Sequence, residues 1–129
     1  MNTHTHFIAD NWLAGEGHDI KSIDPAKKNV IWQAKSASQE QVNSAVKAAR
    51  SAFASWSNLT FDERLVFVKK FAELLAQNKQ ALALSIAQET GKPLWETATE
   101  VGAMIGKIAL SEKAYHERTG TVENAMPLG

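Results

Sequence analysis

Gln88-Glu89-Thr90-Gly91-Lys92-Pro93-Leu94-Trp95 joins two helical patterns, and its reading organises the rest of the chain. Gly91 can take the left-handed conformation that ends a helix, and Pro93 brings a fixed φ and no amide needing a partner, which suits the start of the next helix. One helix therefore stops near Gln88 and another begins at Pro93. Downstream, Leu94, Ala98, Val101, Ile105 and Ile108 recur on one face, and Tyr115 precedes Gly120, so the longest helix is predicted over 93–117. Gly102 and Gly106 are four residues apart on this helix, with Ala98 and Ala109 in line. Interior glycines cost a helix about 1 kcal/mol each, and tight packing of another backbone against them is the expected compensation. Trp95 and Met104 read as packing residues rather than as parts of a cofactor pocket.

Working back toward the N-terminus, Lys79 to Gln88 forms a short helix separated from its predecessor by Asn78, a residue that favours caps over helix interiors. The preceding helix spans 61–77. Thr60 and Glu63 make a capping box at its start, and Phe61, Leu65, Val68, Ala72 and Leu75 follow a 4,3,4,3 spacing. Phe67, Phe71 and Leu74 widen that stripe, so burial over much of its circumference is expected. Ser38 and Gln41 repeat the capping box for a helix over 39–57, whose apolar face carries Val42, Ala45, Val46, Ala49, Phe53 and Trp56. Residues 1–37 read as extended. Phe7-Ile8 and Trp12-Leu13 flank a turn at Ala9-Asp10-Asn11, where Asp and Asn tolerate unusual φ, and His18 to Ile23 and Val30 to Trp32 are further extended pieces around a turn at Asp24-Pro25. The organisation is a hairpin and extended segment over 1–37 and a helical segment over 38–129, together one incomplete domain.

The 129 residues carry 14 basic and 14 acidic side chains, which leaves no electrostatic footprint for nucleic acid or an anionic membrane surface. No apolar run approaches the roughly 20 residues of a membrane span, and no signal-peptide core opens the chain, so a cytoplasmic location is expected. The absence of cysteine excludes disulfides, thiolate metal sites and a cysteine nucleophile within this sequence. His4 and His6 sit in a polar N-terminal stretch and make a poor metal site. His18 reads as a solvated side chain.

The wording from Gln88 to Gly120, QETGKPLWETATEVGAMIGKIALSEKAYHERTG, resembles the N-terminal region of the NAD(P)-dependent aldehyde dehydrogenase superfamily. An acidic residue, a variable one and Gly-Lys-Pro stand at the joint, and Glu100-Val101 follows on the next helix. Within that superfamily, Trp95, Ala103-Met104-Ile105, Lys107-Ile108 and Tyr115-His116 are similar to the succinylglutamate-semialdehyde dehydrogenases of arginine degradation. The resemblance implies a fold class that is mainly α with a small N-terminal β element, the N-terminal part of an α/β cofactor domain. It implies oxidation of N-succinyl-L-glutamate 5-semialdehyde with NAD. The family usually has Asn-Pro where this chain has Asp24-Pro25, and often a glycine a few residues on, where this chain has Ala26-Lys27-Lys28-Asn29.

The family forms a thiohemiacetal on a cysteine, passes hydride to NAD(P) and hydrolyses the thioester with water activated by a glutamate. Those residues, with the oxyanion asparagine and the nucleotide-binding glycines, are expected beyond Gly129, so no catalytic and no cofactor-binding residue is assigned here and the segment alone is expected to be inactive. Two weaker assignments follow from the resemblance. Glu89, with the carbonyls of Ser22 and Ile23, is a candidate for a structural monovalent cation, since a carboxylate with carbonyl oxygens suits a hard ion. Glu100 is a candidate for the substrate entrance. The expected partners are the rest of a dehydrogenase chain or further copies of this one, joined through exposed apolar helix faces, with exchange of the long helix as one route. A free-standing helical interaction module is the rival class. A hydrolase built on His116 and Glu117 is weaker, because adjacent helical residues point in different directions.

Overall fold

The computed structural model describes residues 4–121. Two antiparallel hairpins precede four helices. Strands β1 (His4–Ile8) and β2 (Asn11–Ala14) form one two-stranded sheet, and β3 (Asp19–Ile23) and β4 (Val30–Lys35) form another. Helices α1 (Gln39–Ser57), α2 (Phe61–Gln77), α3 (Lys79–Thr90) and α4 (Leu94–Arg118) follow. The fold is mainly helical with a small N-terminal β element, and α4 is the longest element at 25 residues.

The hairpins show how local chemistry sets register. Ile8 pairs with Asn11 and Phe7 with Trp12, leaving Ala9 and Asp10 as the turn. Both have positive φ, 50° and 62°, the sign pattern of a type I′ turn. The expectation that Asp and Asn would carry the unusual φ is therefore half corrected. Ala9 takes the first position, while Asn11 pairs in the ladder and its Nδ2 donates to the Ala9 carbonyl at 2.7 Å. In the second hairpin Asp24 is buried, and its Oδ1 accepts the amides of Ala26 at 2.8 Å and Lys27 at 3.0 Å. Those bonds, Lys27 first, hold its carboxyl below the ordinary range against the opposing effect of burial. Lys28 adopts φ 62°, a left-handed position where glycine would meet no Cβ penalty.

Both expected capping boxes form. Ser38 Oγ accepts the Gln41 amide at 3.2 Å while Gln41 Oε1 accepts the Ser38 amide at 3.0 Å. Thr60 and Glu63 make the same exchange at 3.3 and 2.7 Å, and the Thr60 amide, then its hydroxyl, keeps the Glu63 carboxyl below its usual range. Gln41 has a further use. Its Oε1 also accepts the Glu16 amide at 3.1 Å and its Nε2 donates to the Ala14 carbonyl at 2.8 Å, stitching the first hairpin to α1. The cap at Asn78 is shared, closing α2 and opening α3, with its Nδ2 on the Leu74 carbonyl.

Among the described residues, the buried apolar side chains lie on α2, α3 and α4. Val101 and Thr97 are completely buried, with Leu75 and Ala83 beside them. Thr97 Oγ1 donates to the Ala83 carbonyl at 2.8 Å, joining α4 to α3 through a polar contact that water does not reach. Lys69 to Glu112 at 3.0 Å and the stacked rings of Phe61 and Tyr115, 3.8 Å apart, tie α2 to α4. The expected burial of α2 around much of its circumference is corrected. Phe67 and Phe71 on its second stripe are 59% and 56% exposed, Phe67 meeting the edge of the Trp56 ring of α1 at 5.5 Å without being covered by it. Trp95, at 73% exposed, and Met104 likewise do not pack inside this chain. The tight approach expected at Gly102 and Gly106 is absent too. A Cβ on Gly102 would meet only the end of Lys79 at 4.0 Å, and one on Gly106 would meet nothing within 4 Å.

Candidate functional site

The joint between α3 and α4 is where the sequence-derived candidates can be examined together. Helix α3 continues to Thr90, two residues past the expected stop, and Thr90 Oγ1 returns a hydrogen bond to the Ile86 carbonyl at 2.7 Å. Gly91 then turns left-handed at φ 75°, with its amide on the Ala87 carbonyl. A Cβ there would stand 2.9 Å from Pro25 Cγ, so the turn of the second hairpin rests directly on the joint. Pro93 caps α4 without a side-chain hydrogen bond. The three pieces that meet here come from sequence positions about 65 residues apart, a juxtaposition helix-stop signals alone could not reveal.

Glu89 projects from the last turn of α3 onto the second hairpin. Its Oε1 accepts the indole N–H of Trp32 at 2.6 Å. Trp32 is the cross-strand partner of Ser22, and Ile23 pairs with Val30. The structure thus brings Glu89 to the strand that pairs with Ser22 and Ile23, and one of its oxygens is held by an indole. Among the described residues no group of three or more His, Cys, Asp or Glu side chains gathers around a point that could hold a metal. The Trp32 contact was missed from sequence because Trp32 reads as one more β-strand aromatic, and nothing in its local pattern names a partner 57 positions away.

Glu100 lies two turns into α4 and is engaged by Lys92, whose Nζ contacts Glu100 Oε1 and lies 3.6 Å from Glu96 Oε1. The hydrogen bond and charge of Glu100, then those of Glu96, raise the Lys92 ammonium above its ordinary value against partial desolvation. Glu89 and Glu100 therefore have separate partners, Trp32 and Lys92, and do not act as a carboxylate pair. The proposed hydrolase dyad also separates. His116 sits edge-on to Phe61 and Tyr115, whereas Glu117 pairs with Lys113 at 3.7 Å.

A dinucleotide cradle needs free backbone amides at a glycine turn that runs into a helix N-terminus. The Gly91 turn does not provide one. Pro25 fills the space beside it, and the Lys92 ammonium next to the turn is already taken up by Glu96 and Glu100. The Gly91 turn does not fit a nicotinamide dinucleotide, and no chemical step is derived through one. What the joint does is mechanical: the second hairpin rests on it through Pro25 at Gly91 and Trp32 at Glu89.

The sequence profile of the Aldehyde dehydrogenase family matches residues 12–127. Among solved structures, an NAD-dependent benzaldehyde dehydrogenase from Corynebacterium glutamicum superposes with a TM-score of 0.83 at 23% identity, covering 98% of this chain and 28% of its own. A point mutant of betaine aldehyde dehydrogenase from Staphylococcus aureus, solved in complex with NAD+, gives 0.82 at 23% identity over 97% of this chain and 26% of its own. HpcC from Thermus thermophilus gives 0.81 at 30% identity over 89% and 23%. This chain spans about a quarter of the length of these structures.

Proposed function

Because this chain belongs to the aldehyde dehydrogenase family, we propose that it supplies the N-terminal helical side of an NAD-dependent dehydrogenase that oxidises N-succinyl-L-glutamate 5-semialdehyde to N-succinyl-L-glutamate. The observation that carries the reading is the exposed apolar surface of α1 and α2, in a chain whose fold superposes on a quarter of longer dehydrogenases. Such faces call for a covering partner, and the remainder of a dehydrogenase chain is the one this reading names. The choice of NAD is supported by the relatives described as NAD-dependent or as bound to NAD+. The choice of aldehyde rests on Trp95, the Ala103-Met104-Ile105 run, Lys107-Ile108 and Tyr115-His116. Arginine catabolism in the cytoplasm is the setting that goes with this substrate.

With no cysteine among its 129 residues, the chain has no thiol on which the family's acyl transfer could begin. Its contribution is positional. Gly91, Pro25 and the Trp32 to Glu89 contact hold the second hairpin and the two helices as one unit. A monovalent cation held by Glu89 with the carbonyls of Ser22 and Ile23 belongs to the same proposal, supported by the approach of Glu89 to the strand paired with Ser22. Soaking crystals in rubidium should give an anomalous peak beside Glu89, and a featureless map there removes the site. Glu100 at the substrate entrance is proposed through its place on α4. Kinetics unchanged by Glu100→Gln in the intact enzyme would remove that role.

The assay that decides the substrate uses the intact enzyme with NAD and compares N-succinyl-L-glutamate 5-semialdehyde with benzaldehyde and betaine aldehyde. A kcat/KM at least about tenfold higher for the succinylated aldehyde is expected, the scale on which one well-matched pocket contact discriminates. Preference for either of the others overturns the substrate assignment.

A further inference from the structure

We propose that Trp32 is a positioning residue: its indole holds one oxygen of Glu89 so that the other is presented to β3, where a monovalent cation is shared with the carbonyls of Ser22 and Ile23. The proposal rests on the cation reading given above and adds to it the group that aims the carboxylate. Trp32 Nε1 donates to Glu89 Oε1 at 2.6 Å, across 57 positions of sequence. An indole N–H only donates and carries no charge, so it fixes where Oε1 sits without neutralising the carboxylate. Among the described residues Oε2 has no hydrogen-bond partner. Lys92, three positions on, does not balance the charge either, because Glu96 and Glu100 engage it. A carboxylate with one oxygen fixed by a neutral donor and the other open is donor chemistry that fits a hard monovalent ion beside backbone carbonyls.

Two features of the second hairpin put the indole there. Ser22 pairs with Trp32 and Ile23 with Val30, so Ile31 is an extra residue in β4 and the ladder shifts between Ser22 and Ile23. A bulge leaves its extra residue out of the pairing and re-aims the side chains next to it, and this one lies opposite the two residues whose carbonyls are assigned to the ion. The turn of the same hairpin is seated on the joint, since a Cβ on Gly91 would stand 2.9 Å from Pro25 Cγ. Glu89 lies two residues before Gly91, in the last turn of α3. Pro25 thus sets the separation of hairpin and helix, and Trp32 sets the direction of the carboxylate. Removing a group that orients a metal ligand commonly weakens metal affinity by about 10- to 100-fold. A Trp32 that only braced the joint would stabilise it equally with and without the ion.

The test compares rubidium binding by the intact enzyme and by Trp32→Phe, which keeps a ring and removes the N–H. Trp32 is 42% exposed, so the exchange opens no buried cavity. Crystals soaked at a rubidium concentration that half-fills the unaltered enzyme should show an anomalous peak beside Glu89. In Trp32→Phe that peak should fall to about a fifth of its height, as roughly tenfold weaker affinity requires. In solution, the unfolding midpoint should rise in rubidium chloride over tetramethylammonium chloride of equal ionic strength. The rise should shrink in Trp32→Phe and persist in Val101→Ala, which weakens the core and leaves the Trp32 to Glu89 contact intact. An undiminished Trp32→Phe peak, or a midpoint lowered equally in both salts, overturns the role of Trp32 and leaves the ion in place. No peak in the unaltered enzyme removes the cation itself, and the proposal with it. If Trp32→Phe does not crystallise, the comparison of salts decides.

Discussion

Helices α1 and α4 divide the sources of stability between them. Helix α1 has a complete capping box and an unbroken apolar seam, yet its large apolar residues stay exposed. Helix α4 starts at Pro93 with no side-chain cap and carries Gly102 and Gly106 in its interior, yet it holds Thr97 and Val101, the two largest fully buried side chains of the described chain. The better start signal belongs to the less packed helix. Capping satisfies orphan amides within one turn of backbone, while burial depends on what other elements supply, and neither predicts the other.

The sharpest way to break this comparison is to remove methyl groups from each helix. Val101→Ala should cost about 2 kcal/mol, because it removes buried carbons from a packed site, while Val46→Ala should stay within about 0.5 kcal/mol. Urea unfolding measures both, and equal losses would mean that α1 is packed as well as α4. Next in size is Gly91→Ala. A Cβ at φ 75° is strained, and it would also press on Pro25, so a loss of more than about 1 kcal/mol is expected in the same assay. A neutral result would show that the second hairpin does not rest on the α3–α4 joint.

The helix boundaries and caps were legible in the sequence because their causes are local. Ser38 with Gln41, Thr60 with Glu63, Asn78 and Gly91 each act within one turn, and each is where the pattern puts it. Small departures occur at the ends, such as α3 running two residues further to Thr90, whose hydroxyl bonds the Ile86 carbonyl. Contacts between distant segments were not legible. The Trp32 to Glu89 bond, the Gln41 stitch to Ala14 and Glu16, and the Thr97 bond to Ala83 each depend on the assembled fold. Periodicity also misled at Phe67, Phe71, Trp95 and Met104. An apolar stripe shows that a face wants cover, and it does not say whether the same chain provides it. The candidate site was legible as a joint with acidic neighbours, but the partners of Glu89 and Glu100 were not.

Capping gives the middle-sized effect. Ser38→Ala and Thr60→Ala each remove an acceptor for a helix-start amide and should each cost about 1 kcal/mol. Ser38→Ala should also loosen the first hairpin, because Ser38 orients Gln41 and donates to Glu16, while Thr60→Ala leaves the hairpins alone. Resonances of Ala14 and Glu16 should shift in the first variant only. Unchanged hairpin resonances in both would mean that α1 and β1–β2 are independent.

The smallest effects are set by pH. Asp24 and Glu63 have folded values held below the ordinary carboxylate range, so their stabilisation is complete above about pH 5 and is lost as pH falls through the folded values. Lys92 is raised, so its contribution is present below its unfolded value and is lost as pH rises through the folded one. Asp24→Asn should flatten the acid limb of a stability profile and Lys92→Met the alkaline limb. An acid limb unaffected by Asp24→Asn would assign that limb to other carboxylates.

The most direct test of the division between the two helices is native-state hydrogen exchange on dilute, monomeric chain. Amides of α4 around Val101 should exchange only through opening of the whole core, while those in the middle of α1 exchange by local fraying, orders of magnitude faster. Equal protection of α1 and α4 in the dilute monomer would contradict the claim that, among the described residues, the core lies on α2, α3 and α4.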